Sequence, residues 1–135
     1  MRIVIAGGTG FLGRALVDVL ARDQHDVTIL TRHAAAGADA RLPSTVRTIA
    51  WTADGGAGPW AAALDGADAV INLAGESIGE GRWTAARKSA ILDSRVRATR
   101  SLVAAIGQAA VPPHTLLSAS AVGFYGPRGD QVLTE

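Results

Sequence analysis

The chain contains no cysteine, a single lysine (Lys88) and a single tyrosine (Tyr125). Without cysteine there are no disulfides, no thiolate metal sites and no cysteine nucleophile; the expected setting is a reducing one, the cytoplasm. Long apolar runs are missing as well. Met1-Arg2 leads directly into Ile3-Val4-Ile5-Ala6, and a glycine-rich turn follows too soon for a signal-peptide core or a membrane span. Neither sign of charge is in excess: the formal net charge is +1, and the twelve arginines are scattered among acids, which argues against a nucleic-acid or membrane partner. His25, His33 and His114 lack ligand spacing, so no metal site is expected. What is present is 48% apolar residues over 135 positions, enough for one globular domain read as residues 1–135 with no linker.

Short β-branched runs alternate with longer helical segments, the pattern of βαβ units that feed a parallel sheet covered on both faces. Strands are expected near Arg2–Ala6, Asp26–Thr31, Val46–Ala50, Ala69–Leu73 and Thr115–Ala119, with helices over Phe11–Ala21, around Trp60–Leu64 and through Thr84–Gln108. The runs Ile3-Val4-Ile5 and Ala69-Val70-Ile71 are continuously apolar, as in central strands buried on both faces. In the long helix, Ile91, Arg95, Leu102 and Ile106 read as one stripe, and Pro112-Pro113 ends any helix before the fifth strand. The fold class is α/β: a Rossmann-type, doubly wound parallel sheet of about five strands in the order 3-2-1-4-5.

The most informative segment is Gly7-Gly8-Thr9-Gly10-Phe11-Leu12-Gly13, placed between the first strand and the first helix. A chain that leaves a buried strand and turns at once into a helix needs backbone angles that glycine supplies. A side chain at position 10 would obstruct a pyrophosphate approaching the helix N-terminus, where unpaired N–H groups and the positive end of the dipole favour an anion. Gly13 allows the helix to pack closely on the sheet, and Thr9 offers a hydroxyl to the phosphate. The turn therefore predicts a dinucleotide site, although glycines also serve tight turns without any ligand. At the end of the second strand, where an acid would accept hydrogen bonds from an unphosphorylated ribose, the sequence reads Thr31-Arg32-His33. A guanidinium in place of that acid selects the 2′-phosphate of NADP(H), unless Arg32 is merely a solvated surface residue.

GGTGFLG, the strand-end Asn72-Leu73-Ala74-Gly75 and Ser118–Gly126 (SASAVGFYG) together resemble the extended short-chain dehydrogenase/reductase superfamily of the epimerase/dehydratase type. NLAGESIGEGRW, Lys88 with Ile91, Ser94-Arg95-Val96 and Gly129-Asp130 before Leu133-Thr134-Glu135 are similar, more narrowly, to its atypical epimerase-like subgroup. The resemblance implies that Leu73, Ala74 and Gly75 pass beside the cofactor, that Ser118 to Ala121 lie near the nicotinamide and that Trp51 shapes the adenine pocket. Trp51 reads equally as a core or rim aromatic. Ser120, or else Ser118, would stand for the catalytic serine, with a structural strand-end serine as the alternative. The family's helical asparagine is replaced in Arg95-Val96-Arg97-Ala98-Thr99, where Arg95 binds an anionic substrate or cofactor phosphates, or else is simply solvated.

Catalysis in that superfamily implies a tyrosine whose acidity is raised by a lysine four positions later. Here Tyr125 is followed at that distance by Gly129, and Lys88 is preceded by Thr84, so the pair is absent from this chain. Glu76 and Glu80 bracket a loop near the expected site, either as acid/base groups or as solvated carboxylates. The resemblance further implies a continuation beyond the fifth strand, whose open edge would be covered by a C-terminal half or by a second copy in a homodimer. Three functions follow: an NADP(H)-dependent, epimerase-like oxidoreductase acting on an unspecified small molecule, a non-catalytic nucleotide-sensing or interaction module, and a sugar-nucleotide epimerase or dehydratase.

Overall fold

The computed structural model describes residues 1–32, 42–120, 126 and 128–132. The elements are β1 (Arg2–Ala6), α1 (Phe11–Arg22), β2 (Asp26–Thr31), β3 (Arg47–Ala50), a 3-10 helix (Pro59–Leu64), β4 (Ala69–Asn72), α2 (Ala85–Gln108) and β5 (Thr115–Ser118). The five strands form one parallel sheet in the order β3-β2-β1-β4-β5. β1 lies at its centre, with Ile3 beside both Val27 and Ala69. The architecture is the expected Rossmann-type α/β sheet, and the element boundaries shift from the expected ones by a residue or so.

The uninterrupted apolar run of β1 is explained by its two partners. Successive side chains of a strand point to opposite faces, and both faces of β1 are covered. Ile3 and Ile5 join Val17 of α1, Val27 and Ile29 in one cluster; Val4 and Ala6 join Leu30, Trp51, Trp60, Val70 and Leu102 in the other. β5 is different: all four of its residues are exposed, as befits an edge strand with nothing on its outer side among the described residues.

The stripe expected on α2 needs correction. Ala98, Ser101, Leu102 and Ala105 are the buried positions, Ile91 and Ile106 are only half-buried, and Arg95 is exposed. Leu102 packs into the cluster that holds Trp60 and Leu64 of the 3-10 helix, small residues flank it, and Ser101 Oγ accepts the N–H of Gly55, in the loop before the 3-10 helix, at 2.9 Å. Larger side chains such as Leu92 and Val103 point outward.

Candidate functional site

The turn after β1 is held together by backbone proximity. Gly7 has φ +82°, and a Cβ there would lie 2.7 Å from the Leu73 carbonyl carbon. At Gly13 a Cβ would run into the Gly7 carbonyl oxygen and lie 2.6 Å from Gly8 Cα. The close packing that Gly13 permits is therefore between α1 and the turn itself. The Gly10 N–H donates to the Gly7 carbonyl and Arg14 N–H to the Gly10 carbonyl, each at 3.0 Å. Arg14 Nε adds a bond to the Thr9 carbonyl at 2.7 Å.

α1 starts without a side-chain cap and without an acid in its first turn. The N–H groups of Phe11, Leu12 and Gly13, ahead of the first intrahelical bond, are the ones a helix leaves for an outside acceptor. The N-cap residue that precedes them, Gly10, lines a cavity of about 520 Å³ at the carboxyl ends of the central strands. Its floor includes Gly7, Thr9 and Gly10 from the turn. One wall comes from the ends of β2 and β3, with Arg32 and Trp51; another is the segment Leu73-Ala74-Gly75-Glu76 after β4. α2 closes it with Asp93, Ser94 and Arg97. A shape of this kind, with an uncapped positive helix end at its floor and no carboxylate on that end, fits a dinucleotide's pyrophosphate.

Several expected residues therefore meet in one place: Gly7, Thr9, Gly10, Arg32, Trp51, Leu73, Ala74 and Gly75 all line the cavity. Trp51 belongs both to the core, edge-on to Trp60 at 5.2 Å, and to the cavity wall. Gly8 is buried against Ile29 behind the turn, while Phe11 and Leu12 are exposed on the first turn of α1.

Arg95 takes a different position. Its Nη1 donates to the carbonyls of Ile91 (3.0 Å) and Glu76 (3.2 Å), and its guanidinium covers Gly75. The arginine of α2 that lines the cavity is Arg97. Ser118 Oγ accepts a hydrogen bond from Asn72 Nδ2 at 3.2 Å; Ser120 is exposed beyond the end of β5, and neither serine lines the cavity. His33, Ala121 and Tyr125 fall outside the described residues.

Sequence reasoning also passed over a polar node. Asn72, buried at the end of β4, donates to Thr99 Oγ1 (3.1 Å) and Ser118 Oγ and accepts the Ala74 N–H at 3.2 Å. One side chain thus ties β4 to α2, to β5 and to the cavity-lining segment. The asparagine and its near partner Ala74 were visible in the strand-end motif; Thr99 and Ser118 were not recognisable as partners, since they come from distant parts of the chain. Glu76 is similarly fixed, with Oε1 accepting from Arg87 Nη1 at 3.0 Å.

A sequence profile described as the NAD dependent epimerase/dehydratase family matches residues 3–135. The chain belongs to this family. Among its members, epimerase family protein YfhF of Bacillus subtilis (strain 168) is 42% identical over 135 residues, which is all of this chain and 42% of that protein. Epimerase family protein Mb2239 of Mycobacterium bovis is 37% identical over 133 residues, covering 98% of this chain and 40% of the relative. The crystal structure of human epimerase family protein SDR39U1 with NADPH superimposes with a TM-score of 0.76 at 34% identity, over 95% of this chain and 39% of that one. MoeE5 in complex with UDP-glucuronic acid and NAD gives a TM-score of 0.73 at 25% identity, over 96% and 40%. The chain thus spans about two fifths of the length of these relatives. Family membership supports a nucleotide cofactor on this fold. Among the described residues no helix is long and apolar enough to cross a membrane.

Proposed function

We propose that this chain forms the NADP(H)-binding portion of an epimerase-like oxidoreductase of the extended short-chain dehydrogenase/reductase type, with a small-molecule substrate. The observation that carries the reading is the uncapped start of α1 opening onto the cavity that Arg32 borders. Gly7, Thr9 and Gly10 would receive the pyrophosphate, Trp51 the adenine, and Arg32 the 2′-phosphate; the segment Leu73 to Gly75 would run alongside. A bound nicotinamide would supply hydride exchange; the chain's own residues bind and orient it. The human relative solved with NADPH favours the phosphorylated cofactor, and the exposed β5 edge, with Leu117 56% accessible, offers a surface for a C-terminal half or a second copy.

Titration of the full-length protein with NADPH, followed by nicotinamide fluorescence, tests this directly. A saturable change with weaker response to NADH is expected; no response from folded protein overturns the reading. A second reading, a non-catalytic nucleotide-sensing module on the same fold, is favoured by the engagement of Ser118 by Asn72. Oxidation of NADPH by the full-length protein with any carbonyl substrate would eliminate it.

A further inference from the structure

The corner of the cavity that Arg32 occupies also holds a fixed carboxylate. Glu76 is gripped from α2 at three points: its N–H donates to Ser94 Oγ at 2.9 Å, its carbonyl accepts from Arg95 Nη1 at 3.2 Å, and its Oε1 accepts from Arg87 Nη1 at 3.0 Å. Arg87 also donates to the neighbouring Ser77 carbonyl, which anchors the guanidinium in turn. The remaining carboxylate oxygen, Oε2, lies 3.9 Å from Arg32 Nη1. Glu76 and Arg32 both line the cavity. The sequence has no acid at the end of β2, where an unphosphorylated ribose would find its acceptor. The fold nevertheless delivers an acid to the same corner, from the segment after β4.

We propose that Glu76 is a specificity-determining residue of the dinucleotide site, so that the Arg32–Glu76 pair, rather than Arg32 alone, sets the preference between NADPH and NADH. The inference rests on the dinucleotide reading above. Arg32 has a 75% accessible side chain, and so exposed an ion pair is weak; the guanidinium exchanges Glu76 for a phosphate at little cost. Glu76 has no such freedom, because Arg87, Ser94 and Arg95 hold it in place. Its charge stays near an arriving 2′-phosphate and offsets part of the attraction of Arg32. Towards an unphosphorylated ribose the same carboxylate is an acceptor for hydroxyl donors. The pair thereby narrows the gap between the two cofactors that Arg32 alone would open.

The test is separate titration of the full-length protein with NADPH and with NADH, in the wild type and two variants. Glu76→Gln removes the charge and is expected to raise the ratio of NADPH to NADH affinity by about three- to five-fold. Glu76→Asp keeps the charge but draws the carboxylate back by one methylene, farther from Arg32; a smaller rise in the same direction is expected. Thermal unfolding of each variant verifies the fold, and if Glu76→Gln does not fold, Glu76→Asp decides. A ratio that stays constant or falls in the folded variants overturns the role of Glu76. Failure of the folded wild type to bind either dinucleotide overturns the underlying dinucleotide reading instead.

Discussion

At its C-terminus α1 closes on itself, whereas at its N-terminus it is left open. The Gln24 N–H bonds to the Ala21 carbonyl at 3.1 Å and the His25 N–H to the Leu20 carbonyl at 3.0 Å, a pattern that satisfies the last carbonyls of the helix. It requires Gln24 to adopt φ 60°, the left-handed region in which a residue with a Cβ sacrifices about 1 kcal/mol. At the other end Gly10 offers no side-chain cap and no acid follows. The start of α2, away from the glycine turn, is ordinary: Thr84 Oγ1 accepts the Arg87 N–H at 3.2 Å. Open N–H groups are thus not a habit of both helices in this chain. Of the two α-helices among the described residues, the one left uncapped is the one whose N-cap residue lines the cavity, where a positive end without its own counter-charge is useful to an anion.

The contrast is broken most severely at Gly13. Gly13→Val would place its Cβ within the Gly7 carbonyl oxygen, a backbone atom that cannot swing aside. The expected loss is about 3 kcal/mol or more of stability, read as a lower urea midpoint. Gly10→Asp fills the open end instead. Its Cβ needs only a small adjustment, since it would lie 3.2 Å from the Gly7 carbonyl oxygen. The new carboxylate would cap the helix and repel the pyrophosphate. NADPH affinity is expected to fall by about tenfold or more with no loss of stability; unchanged affinity would show that the start of α1 does not receive the anion.

Thr84→Ala applies the converse change to the capped helix. It should cost about 1 kcal/mol in chemical denaturation while NADPH binding stays as in the wild type. A drop in affinity would mean that the cap of α2 also supports the site. The smallest effect belongs to the closed end of α1: Gln24→Gly relieves the left-handed backbone and is expected to raise stability by about 0.5 kcal/mol. A loss of stability there would show that the Gln24 side chain contributes more than its backbone strain costs.

These comparisons also mark where sequence reading succeeds. The strand–turn–helix unit from Arg2 to Arg22 was legible because its signals are local: a continuous apolar run, then glycines at positions where the backbone itself fills the space. α2 was legible as a helix but not as an oriented one. On its buried side only Leu102 is a large apolar residue, beside Ala98, Ser101 and Ala105, which give a weak apolar signal, while Leu92 and Val103 are exposed. The face that lines the cavity carries Arg97, whereas Arg95 is turned to the Ile91 and Glu76 carbonyls. The two are separated by roughly half a turn of helix, so an error of face exchanges one for the other.

Fold class, the position of the glycine turn and the basic residue at the end of β2 follow from local signals. Periodicity, composition and backbone sterics act between near neighbours, and that is why they can be read along the chain. The surroundings of Arg32 are set instead by packing between distant segments. Glu76 reaches that residue because β4 lies beside β1 in the sheet and α2 clamps the segment that follows. Asn72 likewise acquires Thr99 and Ser118 as partners across three elements. Contacts of this kind depend on which strands become neighbours, and the charge that Glu76 sets beside Arg32 is decided by that arrangement of strands and helix.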